Sequence, residues 1–140
     1  MQLAAKFSYT YLSFYVILKL KEVTTWQKAK DFAVEIIEIC KKIKMEQRES
    51  VLTNQLIRSA TSIGANIHES KYAQSSADFV SKMQIALKEC YESEYWLELL
   101  CRTNYIEGNI YKILLNNCGS IRRMLISSVN TAKKILINNL

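Results

Sequence analysis

Residues 55–70, QLIRSATSIGANIHES, decide the fold because they keep a helical period in spite of a composition that disfavours a helix. Serine, threonine and asparagine are modest helix formers, and a glycine in the middle of a helix costs about 1 kcal/mol relative to alanine. Apolar residues nevertheless recur in steps of three and four, at Leu52, Leu56, Ala60, Ile63 and Ile67. This spacing predicts an amphipathic helix with one apolar face.

The same helix is rich in small residues, namely Ser59, Ala60, Ser62, Gly64 and Ala65. Small side chains let the backbone of a neighbouring helix approach closely. Because most helical stability in proteins comes from packing against other elements, we expect close packing to compensate for the weak helix propensity.

A polar strip lies beside the apolar face of this helix. At about 100° per residue its members fall within roughly a quarter-turn of one another; they are Gln55, Arg58, Ser62, Asn66 and Glu69. Arg58 and Glu69 are separated by about 16 Å along a helix, too far to pair with each other. We therefore expect partners on another helix, where Glu94 is a candidate for Arg58, or on another subunit, which makes the strip a candidate interface.

The rest of the chain predicts three more helices and no sheet, since proline is absent and there are only three glycines in 140 residues. One helix begins at a Thr24 or Thr25 cap, and another at a Ser75 or Ser76 cap. The last is one long helix that follows the segment EGN, residues 107–109. Residues 25–140 are thus predicted to form an all-α, antiparallel, up-down-up-down four-helix bundle.

Residues 1–24 are aromatic and apolar without a clean period, and they are predicted to be an additional N-terminal segment outside the bundle domain. A helix or loose arm packed on the domain, an artefact of an upstream start, and a targeting or membrane-surface segment are all compatible with this composition. The apolar run is too short and too polar to span a bilayer comfortably, so no membrane partner is expected.

The residues that common catalytic and metal sites require are missing from the sequence. The four cysteines form no C-x-x-C pair, and His68 is the one histidine. The bundle lacks the two Glu-x-x-His motifs of a dimetal site, and no phosphate-loop, dinucleotide or hydrolase motif occurs. These observations predict reduced thiols, a solvent-facing His68, no metal, no cofactor and no catalysis.

Positive charge concentrates towards the two ends of the chain, which has 19 basic and 13 acidic residues. In an up-down-up-down bundle the first and last helices are neighbours, so a basic groove is expected between them. Its candidate residues for binding a nucleic-acid backbone are Lys28, Lys30, Lys41, Lys42, Arg122, Arg123, Lys133 and Lys134. A solvated surface is the alternative, since the aromatic residues of a base-stacking surface are not interleaved with these lysines.

The stretch LTNQLIRSATSIGANIHES resembles the pattern L-x-x-Q-[IL]-x-R-x-A-x-S-I-x-x-N-I-x-E-G of the bacterial four-helix bundle proteins encoded within intervening sequences of 23S ribosomal RNA. The resemblance extends over roughly residues 25–137, through ADFVSKMQIALKECYESEYWLEL in the third helix and RRML in the fourth. Two positions depart from it: Gly64 stands where the family often has proline, and Ser70 where it often has glycine.

The resemblance implies a cytoplasmic, non-catalytic bundle that forms a homo-oligomeric ring, with five as the suggested number of subunits. The family's cellular role is not established. A similar bundle, the accessory variability protein of diversity-generating retroelements, forms a basic ring that engages nucleic acid, which is an analogy by fold alone. We therefore expect binding to RNA or DNA backbone, and a scaffold with a protein partner is the alternative. Basic and acidic surfaces on different sides would favour head-to-tail contacts.

Overall fold

Four helices make up most of the computed structural model, which describes residues 2–138 and the side chains of residues 12, 13 and 16–138. They are α1 (Gln2–Gln47), α2 (Val51–Ser70), α3 (Ser76–Arg102) and α4 (Gly108–Asn138). Each helix packs on the next, and α4 closes the arrangement by packing on α1. The predicted all-α four-helix bundle is confirmed, and the part of the chain that the structure describes contains no strand.

Contacts between the helices show that neighbours run in opposite directions. Across α1 and α2, the Lys44 ammonium donates to the Asn54 side chain near one end, and the Ser70 hydroxyl donates to the Glu22 carboxylate at the other. Across α2 and α3, Arg58 pairs with Glu92, whereas Glu69, farther along α2, pairs with Lys82, which comes earlier in α3. The short loops between consecutive helices are consistent with this antiparallel order.

The start of α1 differs from the predicted cap at Thr24 or Thr25. Both hydroxyls donate back to carbonyls one turn earlier, those of Leu20 and Lys21, so the helix runs through this region without a break. With 46 residues α1 is roughly 69 Å long, against roughly 30 Å for the 20 residues of α2. The predicted boundary at residues 24 and 25 therefore falls inside one continuous helix.

Two features other than glycine and proline mark the helix boundaries. Side chains cap the starts of α2 and α3, and residues with positive φ angles follow the ends of α1 and α3. The Ser75 hydroxyl accepts from the Asp78 N–H at 3.1 Å, which confirms the Ser75 cap. The Glu49 carboxylate accepts from the first N–H groups of α2, and these bonds hold the pKa of Glu49 below its usual value although partial burial opposes them. Arg48 and Asn104 take positive φ angles of 54° and 65° after α1 and α3.

The core follows the predicted period, with two exceptions on α4. Buried positions on all four helices include Ile36, Leu56, Met83 and Leu125. Ile110 and Ile113 follow the apolar spacing of α4, but they are 36% and 58% exposed. Ile110 lies in the first turn of α4, and Ile113 lies about 100° around the helix from the buried Leu114, so it faces away from the core.

The small residues of α2 contact both neighbouring helices, as predicted. A Cβ placed on Gly64 would lie 3.7 Å from Ala29 Cβ of α1, which is ordinary van der Waals contact. On the other side the buried Ser93 hydroxyl of α3 donates to Ser59 Oγ at 2.9 Å. The backbone of α2 thus lies close to both partners, and α2 passes through Gly64 without a break.

We predict that Gly64→Ala stabilises the protein by about 1 kcal/mol, since the added methyl group fits and alanine has the higher helix propensity. Gly64→Leu should instead destabilise it by roughly 1–3 kcal/mol, because the larger side chain would force α1 and α2 apart. Urea unfolding of both variants checks this. Loss of stability in the alanine variant would contradict the spacing between the two helices.

Candidate functional site

Polar contacts join α1 to α4 along the edge where these helices meet. Three pairs follow one another along the bundle: Lys21 Nζ with Ser127 Oγ at 3.3 Å, Lys28 Nζ with Ser120 Oγ at 3.3 Å, and Asn117 Nδ2 with Glu35 Oε2 at 3.1 Å. Their α1 members are seven residues apart, which keeps them on one side of the helix. The first and last helices are therefore neighbours, as predicted, and polar contacts line the edge between them.

The outer face of α4 carries a row of exposed basic residues. Helix α4 contains five basic residues and no acidic residue. Lys112, Arg123 and Lys134 stand eleven residues apart, so each lies about 16 Å from the next and within about 20° of it around the helix. We call these three residues the basic row. They are exposed and form no ion pair with any residue that the structure describes.

Lys112 is not among the residues predicted from the sequence. The prediction for the last helix relied on two adjacent basic pairs, Arg122–Arg123 and Lys133–Lys134. The eleven-residue step was the available signal, since it returns to nearly the same side of a helix after three turns. Lys133 is also exposed, but it lies about 80° from the row.

The predicted lysines of α1 divide between two sides of the helix. Lys28 and Lys42 lie within about 40° of each other on the side of α4, whereas Lys30 and Lys41 lie about 160° and 140° away from Lys28. The Lys41 ammonium pairs with Glu38 at 3.1 Å. The structure thus brings Lys28 and Lys42 towards α4 and separates Lys30 and Lys41 from them.

Arg122 differs most from its predicted place, because it faces α3. Its Nε donates to Glu94 Oε1 at 2.8 Å, and both side chains are largely buried, with 28% and 19% of their surfaces exposed. This bond raises the pKa of Arg122, and the guanidinium also lies near the Tyr91 ring. The predicted pairing of Arg58 with Glu94 is therefore wrong.

The charged residues of the polar strip find their partners on α3 of the same chain. Arg58 binds Glu92 and lies 3.7 Å from Glu89, while Glu69 binds Lys82 at 2.9 Å. The hydrogen bond from Arg58 lowers the pKa of Glu92. These pairs remove the reason for expecting Arg58 and Glu69 to seek partners on another subunit.

The uncharged residues of the strip are accessible or bonded locally. Gln55 is exposed, and the Asn66 amide donates to the Ser62 carbonyl at 2.9 Å and to its hydroxyl at 3.0 Å. An interface role for the strip stays a prediction.

Lys30 belongs to an aromatic group that sequence reasoning did not assemble. Its ammonium lies 3.7 Å from the centre of the Trp26 ring, and the Lys71 ammonium lies 4.0 Å from the same centre. His68, predicted to face solvent, is exposed but stacks on Trp26 at 5.0 Å between ring centres. Tyr72 meets His68 edge-on at 5.6 Å. We call these five residues the Trp26 cluster.

The cysteines are free thiols, as predicted. Burial raises the pKa of Cys40 to about 11, and the neighbouring Cys118 thiol, together with burial, raises the pKa of Cys90. Thiols with raised pKa values stay protonated at neutral pH and are poor nucleophiles. Among the described residues, no group of three or more His, Cys, Asp or Glu side chains could hold a metal ion.

Within the described residues, no helix is both long and apolar enough to cross a bilayer.

The protein is thus a four-helix bundle that carries charged and aromatic groups on its outer surface. The model of the 23S rRNA-intervening sequence protein family matches residues 21–127. The chain therefore belongs to the family of 23S rRNA-intervening sequence proteins. The match begins at Lys21, next to Glu22, which is buried and bonded to Ser70.

A crystal structure of similar fold comes from Bacteroides thetaiotaomicron VPI-5482, a protein with unknown function from the S23 ribosomal protein family. It is 47% identical to this chain, and the alignment covers 79% of this chain and 98% of that one with a TM-score of 0.77. A search among curated proteins found no match.

We predict that Arg122→Gln destabilises the protein by roughly 1–3 kcal/mol, because it leaves the largely buried Glu94 carboxylate without its charged partner. Arg123→Gln, at the next residue and exposed, should change stability by less than about 0.5 kcal/mol. Urea unfolding of the two variants compares them directly. Equal effects would show that the Arg122–Glu94 pair has no structural role.

Proposed function

We propose that the protein is a non-catalytic module that binds the phosphate backbone of RNA or DNA through basic side chains of α4 and the adjoining side of α1. The basic row is the observation that carries this proposal. Three exposed cations on one face, without carboxylate partners among the described residues, attract phosphates and release counterions on binding.

The proposal differs in its residues from the one made on sequence. Arg122 is committed to Glu94, so reversing its charge would damage the fold and the binding surface together. Lys112 takes its place, and Lys28 and Lys42 flank the row from α1. Regularly spaced ammonium and guanidinium groups fit a charged backbone and carry no base readout, so little sequence preference is expected.

We predict that changing Lys112, Arg123 and Lys134 together to Glu abolishes most duplex binding and lowers the slope of log affinity against log salt by about 2–3, one contact for each lost cation. Fluorescence anisotropy with a labelled duplex between 50 and 200 mM salt, the range over which such contacts weaken, measures both quantities.

The matched control changes Lys41, Lys88 and Arg102 to Glu, three exposed basic residues on other faces. Each substitution removes two charge units, so both triple variants lower the net charge from +6 to 0. Equal losses in the two variants would show that net charge, and not the basic row, governs binding. Unchanged duplex affinity in the variant of the basic row would overturn the proposal.

A second candidate function, a homo-oligomeric scaffold, is favoured by the N-terminal half of α1. Leu12, Val16, Leu20 and Val23 follow one another in steps of four, four and three, and each is 48–64% exposed. A contiguous exposed apolar face of this kind marks an association surface. The occupant we propose is the same face of a second copy in a two-fold dimer, since the ring that the family resemblance implies would need head-to-tail contacts between different faces.

We predict a mass well above the 16.2 kDa of one chain in light scattering behind a sizing column, and a fall to the monomer mass when residues 2–18 are deleted. The melting temperature should change little, because Lys21 and Glu22 keep their contacts with Ser127 and Ser70. Leu20→Glu should dissociate the assembly and Val51→Glu, at an exposed site on α2, should not. A monomeric full-length chain would exclude the scaffold.

A further inference from the structure

The Trp26 cluster lies on the α2 side of α1, away from the basic row. It joins one turn of α1, which carries Trp26 and Lys30, to the end of α2 and the loop that follows, which carry His68, Lys71 and Tyr72. Gly64 of α2 and Ala29 of α1 are in contact within about one turn of the cluster along both helices. The cluster therefore lies beside a packed contact between these two helices.

Two positive charges in this cluster lack a carboxylate partner. The ammonium groups of Lys30 and Lys71 share one ring, so they lie within about 8 Å of each other, inside a Debye length at physiological salt. Neither pairs with an acidic residue in the described part of the chain. An anion placed between them would relieve their repulsion.

The acidic residues close in sequence to the cluster have other partners. Glu22 is buried and accepts from Ser70, and Glu69 is turned to Lys82 on α3. Asp31 accepts a hydrogen bond from Gln27 at 3.0 Å. The positive charge over Trp26 is therefore available to a partner.

Aromatic surface is exposed beside these charges. Tyr72 is 75% exposed although it meets His68 edge-on, so most of its ring is open to solvent. Trp26 is half-buried against the core and stacked on His68, which holds the imidazole in place. Rings held in this way lose little freedom when a further ring stacks on them.

We infer that the Trp26 cluster binds an unpaired nucleotide of single-stranded RNA or DNA, with a base stacked on the exposed ring of Tyr72 and a phosphate beside the ammonium groups of Lys30 and Lys71. Single-stranded nucleic acid presents a flat ring and an anion within one nucleotide, and proteins bind it by combining aromatic stacking with cations. An acidic peptide would satisfy the lysines but would leave the exposed ring unused.

This inference rests on the proposed function only in taking nucleic acid as the partner. The two surfaces make separate predictions, because a duplex keeps its bases stacked inside and can use the basic row alone. A single strand can use both surfaces.

The test is fluorescence anisotropy with a labelled ten-nucleotide single-stranded RNA and a duplex of the same length. Tyr72→Ala should weaken single-strand binding roughly tenfold, the loss expected for one stacked base, and leave duplex binding unchanged. Tyr72→Phe should keep full affinity, since the ring remains. Tyr95→Ala, at an exposed tyrosine of α3, is the control and should have no effect.

Outcomes that overturn the inference differ from those that overturn the proposed function. Unchanged single-strand affinity in Tyr72→Ala, or no single-strand binding by the native chain, rejects the base site alone. Competition by polyglutamate that equals competition by unlabelled RNA, and that Tyr72→Ala does not alter, would assign the cluster to an acidic peptide. Loss of duplex binding on reversing the basic row tests the other surface independently.

A second readout reports on the cluster itself. The chain has two tryptophans, so in a Trp96→Phe background the emission comes from Trp26. The single-stranded RNA should quench this emission, and Lys30→Gln with Lys71→Gln should reduce the quenching and the salt dependence of binding. Undiminished quenching in the double lysine variant would overturn the assignment of the phosphate.

Discussion

The close approach of α2 to its two neighbours is the constraint on which the rest of the bundle depends. At Gly64 the backbone of α2 lies close to Ala29, with room for a methyl group but not for a large side chain, and the Ser59–Ser93 hydrogen bond satisfies two hydroxyls where a larger side chain would separate α2 from α3. A weak helix former is acceptable here because packing supplies the stability. Because α2 ends at Ser70, which bonds Glu22, the part of α1 before Glu22 extends beyond the end of α2.

The number, order and buried faces of the helices could be predicted because they follow from local information. A period of three and four residues requires no knowledge of the partner helix. The start of α1 could not be predicted in this way. Thr24 and Thr25 have the composition of a helix cap, but their hydroxyls bond carbonyls of the preceding turn. Whether a threonine caps a helix or lies inside one depends on the conformation upstream.

The sequence could predict the sign of the charge at the candidate sites, but not which residues would form them. Composition placed positive charge on the last helix, and the structure keeps it there. Pairing depends on the rotation and register of whole helices, which explains why Arg58 binds Glu92 and not Glu94. The Trp26 cluster was beyond sequence reasoning for a similar reason, because antiparallel packing is what brings Trp26 and His68 together across more than forty residues.

Arg122 and Arg123 show how one helical step separates two roles. They are adjacent in sequence, yet the rotation of about 100° between them turns one towards Glu94 on α3 and leaves the other in solvent. The same pairing occurs along α3, where Glu89, Glu92 and Glu98 also have arginine partners within the chain. Acidic charge on α3 is largely compensated in this way, whereas the basic row has no such partners among the described residues. Folding therefore neutralises carboxylates of α3 and leaves the charges of the basic row and of the Trp26 cluster exposed or without a carboxylate beside them.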